Sequence, residues 1–371
     1  MTGWPAETAS GRVVLLVVHT GRPEALPIAR ALIARLADAG IDARVLAPEA
    51  GLIASATAAV APMTETAAAG AEMVLAVGGD GTLLRAAELA RPARAPLLGV
   101  NLGHVGFLAE AEPEDLSAAV ASVAAGKYSV ERRMTVEVAV RSNGEQLAAT
   151  WALNEATVEK AARERMLDLV IEVDGRPLSR WGCDGVVFAT PTGSTAYAFS
   201  AGGPVVWPEV EALLMVPISA HALFAAPMVV SPESVLAAEV IGVAGGQSET
   251  AGAVLWCDGR RMVELPPGSR VEVRRGDLPV LLARLPALAD AERPVGAPFT
   301  DRLVAKFGLP VAGWRGRGGR SSGGRGSGGR SSGGRGSGGR DDRSPASPAW
   351  PEAARRQAAQ RQADEEPSGH A

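Results

Sequence analysis

The apolar pattern changes character near residue 130. Before that point, short continuous apolar runs alternate with segments that are apolar at helical spacing. Val13 to Val18, Ala43 to Ala47, Met73 to Val77 and Leu97 to Val100 read as strands, the first and third as unbroken apolar runs of the kind buried on both faces of a parallel sheet. Between the first two, Glu24 to Ala39 carries Leu26, Ala29, Leu32, Ile33 and Leu36 on one helical face, and Gly40 is placed to end the helix. A second helix is expected from about Thr82 to Ala90. After residue 130 the period shortens. Thr135 to Val140 and Leu169 to Val173 alternate as half-buried strands, each followed by a turn dipeptide, Asn143-Gly144 and Asp174-Gly175, and Val271 to Val273 continues the style. The pattern predicts an α/β fold: a Rossmann-like parallel-sheet domain over 10–130, then a β-rich domain over 131–285. A segment over 286–314 follows, expected to return to the first domain, and then a tail over 315–371.

The tail changes how composition is read. The chain has 371 residues, a net charge of -4, 44 glycines and 26 prolines. Arg315 to Arg340 alone holds 13 glycines and 7 arginines, and the unit SSGGRGSGGR occurs twice in succession, at 321–330 and 331–340. Such a repeat cannot bury a core, so a flexible tail is expected. Removing its seven positive charges from the total leaves the rest of the chain at -11, which argues against a nucleic-acid-coating body. Weak, salt-sensitive nucleic-acid contact is expected of the tail alone. Two cysteines, Cys183 and Cys257, make neither a disulfide framework nor a zinc spacing. Cys183 reads as a small buried residue. His19, His104 and His221 match no metal spacing and read as polar packing residues. The apolar stretch from Ala212 to Pro232 is broken by Pro217 and Pro227, whereas a spanning helix needs about 20 mostly apolar residues. A cytoplasmic protein without membrane contact is expected.

Three clusters carry candidate chemistry. Gly78-Gly79-Asp80-Gly81-Thr82 lies between a buried strand and a helix, where glycines admit phosphate to the backbone and the helix start favours an anion. A tight turn with Asp80 as helix cap is the plain alternative. Asn154-Glu155 pairs an amide with a carboxylate, which can clamp a ribose diol; a solvated strand end is its alternative. Thr190 to Tyr197, with Ser200 to Pro204, concentrates hydroxyls and glycines in a way that suits a nucleotide-binding loop. No GxxxxGK[ST] occurs, no GxGxxG follows a strand, and Ser200 lacks the GxSxG elbow.

Taken together, GGDGT at 78–82, NLGHVGFLAE at 101–110, NE at 154–155, GCDGVVFATPTGSTAYAFSAGGPVV at 182–206 and FTDRLVAKFGLPVAGW at 299–314 closely resemble the bacterial NAD kinase family, over roughly residues 10–310. GGDGT alone is shared with lipid kinases and phosphofructokinases, so the first domain is expected to be phosphofructokinase-like; TPTGSTAY with NE is what resembles the NAD kinases. The resemblance implies transfer of a phosphoryl group from ATP or polyphosphate to the 2′-hydroxyl of the adenosine ribose of NAD, with a divalent metal (Mg or Mn) and a homo-oligomer, dimer or tetramer. It implies Asp80 as general base and Gly78, Gly79, Gly81 and Thr82 around the donor phosphates. Asn154, Glu155, Asp184, Thr192, Thr195, Ala196, Tyr197, Ala198, Phe199 and Ser200 are implied to line the NAD pocket, with Arg85 and Arg165 as further contacts. No protein metal ligand is assigned.

Two positions depart from the family pattern. Gly182 stands where some members carry Arg, which by analogy extends acceptance to NADH. Ala226 precedes Pro227 where Arg is common. A lipid or sugar kinase would carry a different segment in place of TPTGSTAY.

Overall fold

The computed structural model describes residues 11–102, 106–109, 111, 115–161, 166–243, 252–286 and 299–309. They fall within one compact unit ending at Ala312; the second unit, Gly313–Ala371, and with it the repeat tail, lies outside the described residues.

The first layer system is a seven-stranded sheet. Its strands are β1 (Val13–Val18), β2 (Asp42–Leu46), β3 (Ala59–Ala61), β4 (Met73–Val77), β5 (Leu97–Val100), β6 (Ser129–Arg133) and a late strand, β19 (Val280–Arg284), in the order β3-β2-β1-β4-β5-β19-β6. All neighbours are parallel except β19 and β6. Helices cover both faces, and β1 shows how. Val14, Leu16 and Val18 pack with α1 (Ala25–Asp38), α2 (Ala47–Ile53) and α4 (Leu116–Ala124), while Leu15 and Val17 pack with α3 (Asp80–Ala93) on the other side. An unbroken apolar run is the sequence consequence of that double covering.

The rest is a sandwich of two antiparallel six-stranded sheets. One has the order β11-β10-β15-β18-β7-β8, built from β7 (Val136–Ser142), β8 (Glu145–Ala152), β10 (Leu167–Val173), β11 (Arg176–Cys183), β15 (Leu236–Val243) and β18 (Arg270–Arg275). The other runs β14-β13-β12-β9-β16-β17, from β9 (Glu155–Lys160), β12 (Gly185–Ala189), β13 (Leu213–Ile218), β14 (Met228–Val230), β16 (Ala253–Cys257) and β17 (Arg261–Leu265). Val136, Val138 and Val140 of the first meet Val158, Phe188 and Leu255 of the second, with Trp181 fully buried between them. Burying each such side chain is worth about 1.5–3 kcal/mol before entropy is counted. A short helix, α5 (Tyr197–Ser200), covers the outer face of the second sheet, and α6 (Phe299–Phe307) follows the sandwich.

The turn dipeptides behave as their chemistry requires. Asn143 and Gly144 both have positive φ (51° and 84°) and join β7 to β8, the mirror-image turn whose twist suits a tight hairpin. Two features differ from the sequence expectation. Residues 47–53 form a helix, started by Pro48 in its first turn, that the apolar pattern of so short a segment does not announce. Strand β19, a continuous apolar run from Val280 to Ala283 within the expected 131–285 domain, returns instead to the first sheet, so the strands at the two ends of that domain pair with each other as β6 and β19. No helix among the described residues is long and apolar enough to cross a membrane.

Candidate functional site

In the first sheet the chain leaves β1 toward β2 on one side and returns to β4 on the other. Such a switch in strand order opens a crevice at the carboxyl ends of the two strands. β4 delivers Gly78, Gly79 and Asp80 to it, and β1 delivers His19 and Arg22. The glycines differ in what they allow. A Cβ on Gly78 would lie 2.3 Å from Thr82 Oγ1 and 3.1 Å from the His19 Cβ, so this glycine permits the strand-to-helix packing. Cβ atoms on Gly79 and Gly81 would meet nothing within 4 Å, so these two border open space. His19 is exposed rather than packed, contrary to the sequence expectation.

Asp80 opens α3 but makes no side-chain cap of that helix. Its carboxylate instead accepts the backbone N–H groups of Phe107 and Leu108, both at 3.4 Å. The loop backbone comes so close that a Cβ on Gly106 would sit 2.5 Å from Asp80 Oδ1. The start of a helix favours this negative charge. Arg85, one turn and a half further along α3, pairs its guanidinium with the buried Glu49 and donates to the Val18 carbonyl at 2.9 Å. Glu49 in turn accepts the Val18 N–H at 2.9 Å. Burial pushes the Glu49 carboxyl up, opposed by Arg85. Arg85 therefore braces the end of β1. Arg165 and His104 lie outside the described residues.

Asn154 and Glu155 are both 8% exposed, at the start of β9. Their backbone is held by Asp258, a buried carboxylate that accepts Leu153 N–H at 3.0 Å and Asn154 N–H at 2.7 Å and pairs with Arg261 at 2.8 Å. Burial pushes its carboxyl up, against the pull of these donors. Asp258 also has positive φ (55°), in the turn between β16 and β17. The Asp258-Gly259 dipeptide was the only sequence sign of it.

The hydroxyl-rich loop divides into a buried scaffold and an exposed edge. Thr190 Oγ1 donates to the Leu153 carbonyl at 2.6 Å and accepts Gly193 N–H at 3.1 Å. Ser194 Oγ donates to the Pro191 carbonyl and accepts Val206 N–H. A Cβ on Gly193 would lie 2.0 Å from the Asn154 carbonyl oxygen, so loop and Asn154 backbone are in direct contact. Thr192 Oγ1 accepts from Arg133, whose pKa burial lowers to about 10. Thr195, Ala196 and Tyr197 are half-buried, while Phe199 and Ser200 are exposed. Ala198 is fully buried against Val187 and Val216, so its side chain is packing. Asp184 pairs with Lys160 at 2.5 Å. Cys183 is buried, and burial drives its thiol up to about 12, far from a reactive thiolate.

The Asp80 and Asn154 parts are braced to one another. Leu153 packs with Leu83 and Leu108. Glu88 of α3 pairs with Arg260 at 3.0 Å and Arg261 at 3.3 Å, and Arg261 holds Asp258. Arg91 of α3 and Arg261 lie over the Trp151 ring, 4.4 and 4.5 Å from its centroid. A helix start bearing a carboxylate and a turn bearing a buried carboxylate are thus tied together by ion pairs and rings.

Residues 14–128 match the family described as ATP-NAD kinase N-terminal domain, and residues 153–285 match the ATP-NAD kinase C-terminal domain. The chain is 60% identical over 324 residues to the NAD kinase of Thermobifida fusca, covering 85% of this chain and 95% of that one. It is 58% identical over 307 residues to NAD kinase 2 of Streptomyces avermitilis, covering 82% and 97%. Among solved structures, yeast NADH kinase complexed with NADH shares the fold, with a TM-score of 0.72 at 21% identity over 81% of this chain and 88% of that one. An NAD kinase from Archaeoglobus fulgidus in complex with ATP aligns with a TM-score of 0.55 at 25% identity, over 73% and 92%. With both family domains matched in order across the GGDGT crevice and the Asn154 loop, the chain belongs to the NAD kinase family of enzymes.

Proposed function

We propose that this enzyme transfers the γ-phosphoryl group of ATP to the 2′-hydroxyl of the adenosine ribose of NAD, with Asp80 as the group that receives the hydroxyl proton. The observation that carries this reading is the Asp80 carboxylate, held by two backbone N–H groups beside the open space at Gly79 and Gly81. In the step, the ribose oxygen forms a bond to the γ-phosphorus, the bond from that phosphorus to the β,γ-bridging oxygen breaks, ADP leaves and the proton passes to Asp80. Phosphoryl transfer needs in-line placement and charge neutralisation more than covalent help, so orientation of the hydroxyl is the larger part of the Asp80 role. The donor phosphates sit over Gly79 and Gly81, with Thr82 behind them and Gly78 serving the packing. ATP as donor is supported by the ATP complex of the Archaeoglobus relative.

The divalent ion, Mg or Mn, enters with ATP as part of the metal–ATP substrate. Among the described residues no group of three or more His, Cys, Asp or Glu could hold a metal ion unaided. Asn154 and Glu155 clamp the NAD ribose and adenine groups, and Asp184, Thr195, Ala196, Tyr197, Phe199 and Ser200 extend that pocket toward a second subunit of a homo-oligomer. Arg85, paired with Glu49, and Thr192, held by Arg133, are further contacts of the bound nucleotide. NADH is accepted as well as NAD, given Gly182, and the enzyme works in the cytoplasm. The Arg/Gly tail adds weak nucleic-acid contact to this activity.

The test is incubation of the purified protein with magnesium, ATP and NAD, with NADP read by an NADP-specific dehydrogenase. Parallel reactions replace ATP by polyphosphate and NAD by NADH. The reading expects NADP with ATP; product with polyphosphate alone would move the donor, and no product with either would overturn the assignment.

A further inference from the structure

We propose that Arg302, on the C-terminal helix α6, is a positioning residue that sets the orientation of the Asp80 carboxylate through the 106–109 loop, an inference that rests on the catalytic reading of Asp80. Arg302 is 8% exposed, and its Nη1 donates to the Phe107 carbonyl at 3.3 Å and the Ala109 carbonyl at 2.9 Å. The Phe107 carbonyl and the Leu108 N–H belong to one planar peptide unit, and that N–H donates to Asp80 Oδ1 at 3.4 Å. The two groups point to opposite sides of a trans peptide. Arg302 therefore pulls on one side of the plane whose other side holds the carboxylate. A cation on the carbonyl fixes the tilt of that plane and polarises its N–H, strengthening the bond to Asp80.

The rest of α6 grips the same loop. The Phe107 ring lies 6.0 Å from the Phe299 ring and 5.9 Å from the Phe307 ring, one on each flank of Arg302 in sequence. Phe307 and Phe299 also contact Phe199 and Trp207, at 4.7 and 5.2 Å, so α6 spans from the Asp80 loop to the edge of the hydroxyl-rich loop. Burying a guanidinium is costly unless its donors are used. Here Nη1 uses its donors on the carbonyls of the loop that touches Asp80. A lysine in the same place keeps the charge but loses the rigid planar donor geometry.

The experiment compares Arg302→Lys and Arg302→Met, each alone and combined with Asp80→Asn, by kcat, KM for NAD and thermal melting. A misplaced catalytic group costs up to about 100-fold, so kcat should fall about 10- to 100-fold with KM for NAD within about 3-fold. In the Asp80→Asn background the same substitutions should cost less than about 2-fold, because the group they orient is gone. Unchanged kcat in Arg302→Lys and Arg302→Met would overturn the proposal, as would a loss equally large in both backgrounds, which marks a structural role. Should Arg302→Met melt below the assay temperature, Arg302→Lys decides on the same criteria. Near wild-type turnover of Asp80→Asn alone would instead overturn the reading of Asp80, a separate outcome.

Discussion

Gly78, Gly79 and Gly81 stand in one pentapeptide and answer to different constraints. At Gly78 a methyl group would strike the Thr82 side chain, whereas at Gly79 and Gly81 it would enter open space. Gly78→Ala is expected to lower stability by about 1–3 kcal/mol, the usual cost of overpacking. Gly81→Ala, inside α3, should leave stability unchanged or raise it by up to about 1 kcal/mol through helix propensity. Yet both Gly79→Ala and Gly81→Ala should raise KM for ATP several-fold, because the added methyl occupies the donor's place. Melting curves beside ATP titrations separate the two behaviours. An ATP KM unmoved by either substitution would place the donor elsewhere. The sequence alone grouped all three as phosphate-admitting, since a glycine's purpose depends on what lies opposite it.

Among the elements, the Asn154 segment depends on a turn that lies outside the three candidate clusters. Asp258 holds the Leu153 and Asn154 N–H groups and passes through Arg261 to Glu88 on α3. Asp258→Asn replaces one acceptor oxygen with a donor that faces other donors. Leaving buried N–H groups without an acceptor costs about 1–3 kcal/mol. We expect that loss in denaturant unfolding, together with weakened NAD binding in calorimetry; a variant as stable as wild type would show that β9 holds Asn154 by itself. The elements themselves were largely legible. The β1 and β4 runs announced a doubly covered sheet, and Asn143-Gly144 announced its hairpin. Strand β19 was not legible as a partner of β5, because the apolar run from Val280 to Ala283 reports a strand's burial and not its neighbours. Nor was α2, where a seven-residue helix carries too few apolar positions to show a period. Arg85 and Thr192 were named by resemblance, and the partners that hold their side chains, Glu49 and Arg133, were not legible in the sequence.

Across the described residues, one compact unit joins two layer systems: a mostly parallel sheet that presents an anion-favouring helix start, and a sandwich whose Asn154-Glu155 strand start is locked to it by leucines, ion pairs and the Trp151 stack. The motifs at 78–82, 154–155 and 182–206 were legible by resemblance, whereas the contacts that join them, Leu153 with Leu83 and Gly193 with the Asn154 backbone, were not. The buried supports of those motifs, Asp258, Glu49 and Arg302, were not foretold, since a carboxylate or guanidinium in a single sequence looks the same whether it faces water or a backbone amide. We propose that Asp80 serves the chemical step and not the binding of NAD. Asp80→Asn separates the two roles, with NADP formation and NAD affinity measured on the same preparation. Removing a general base typically costs about 100- to 10,000-fold. A fall of that size in turnover, with the NAD dissociation constant within about 3-fold of wild type, is the predicted result. Turnover near wild type, or a loss explained wholly by weaker NAD binding, would remove Asp80 from the chemical step.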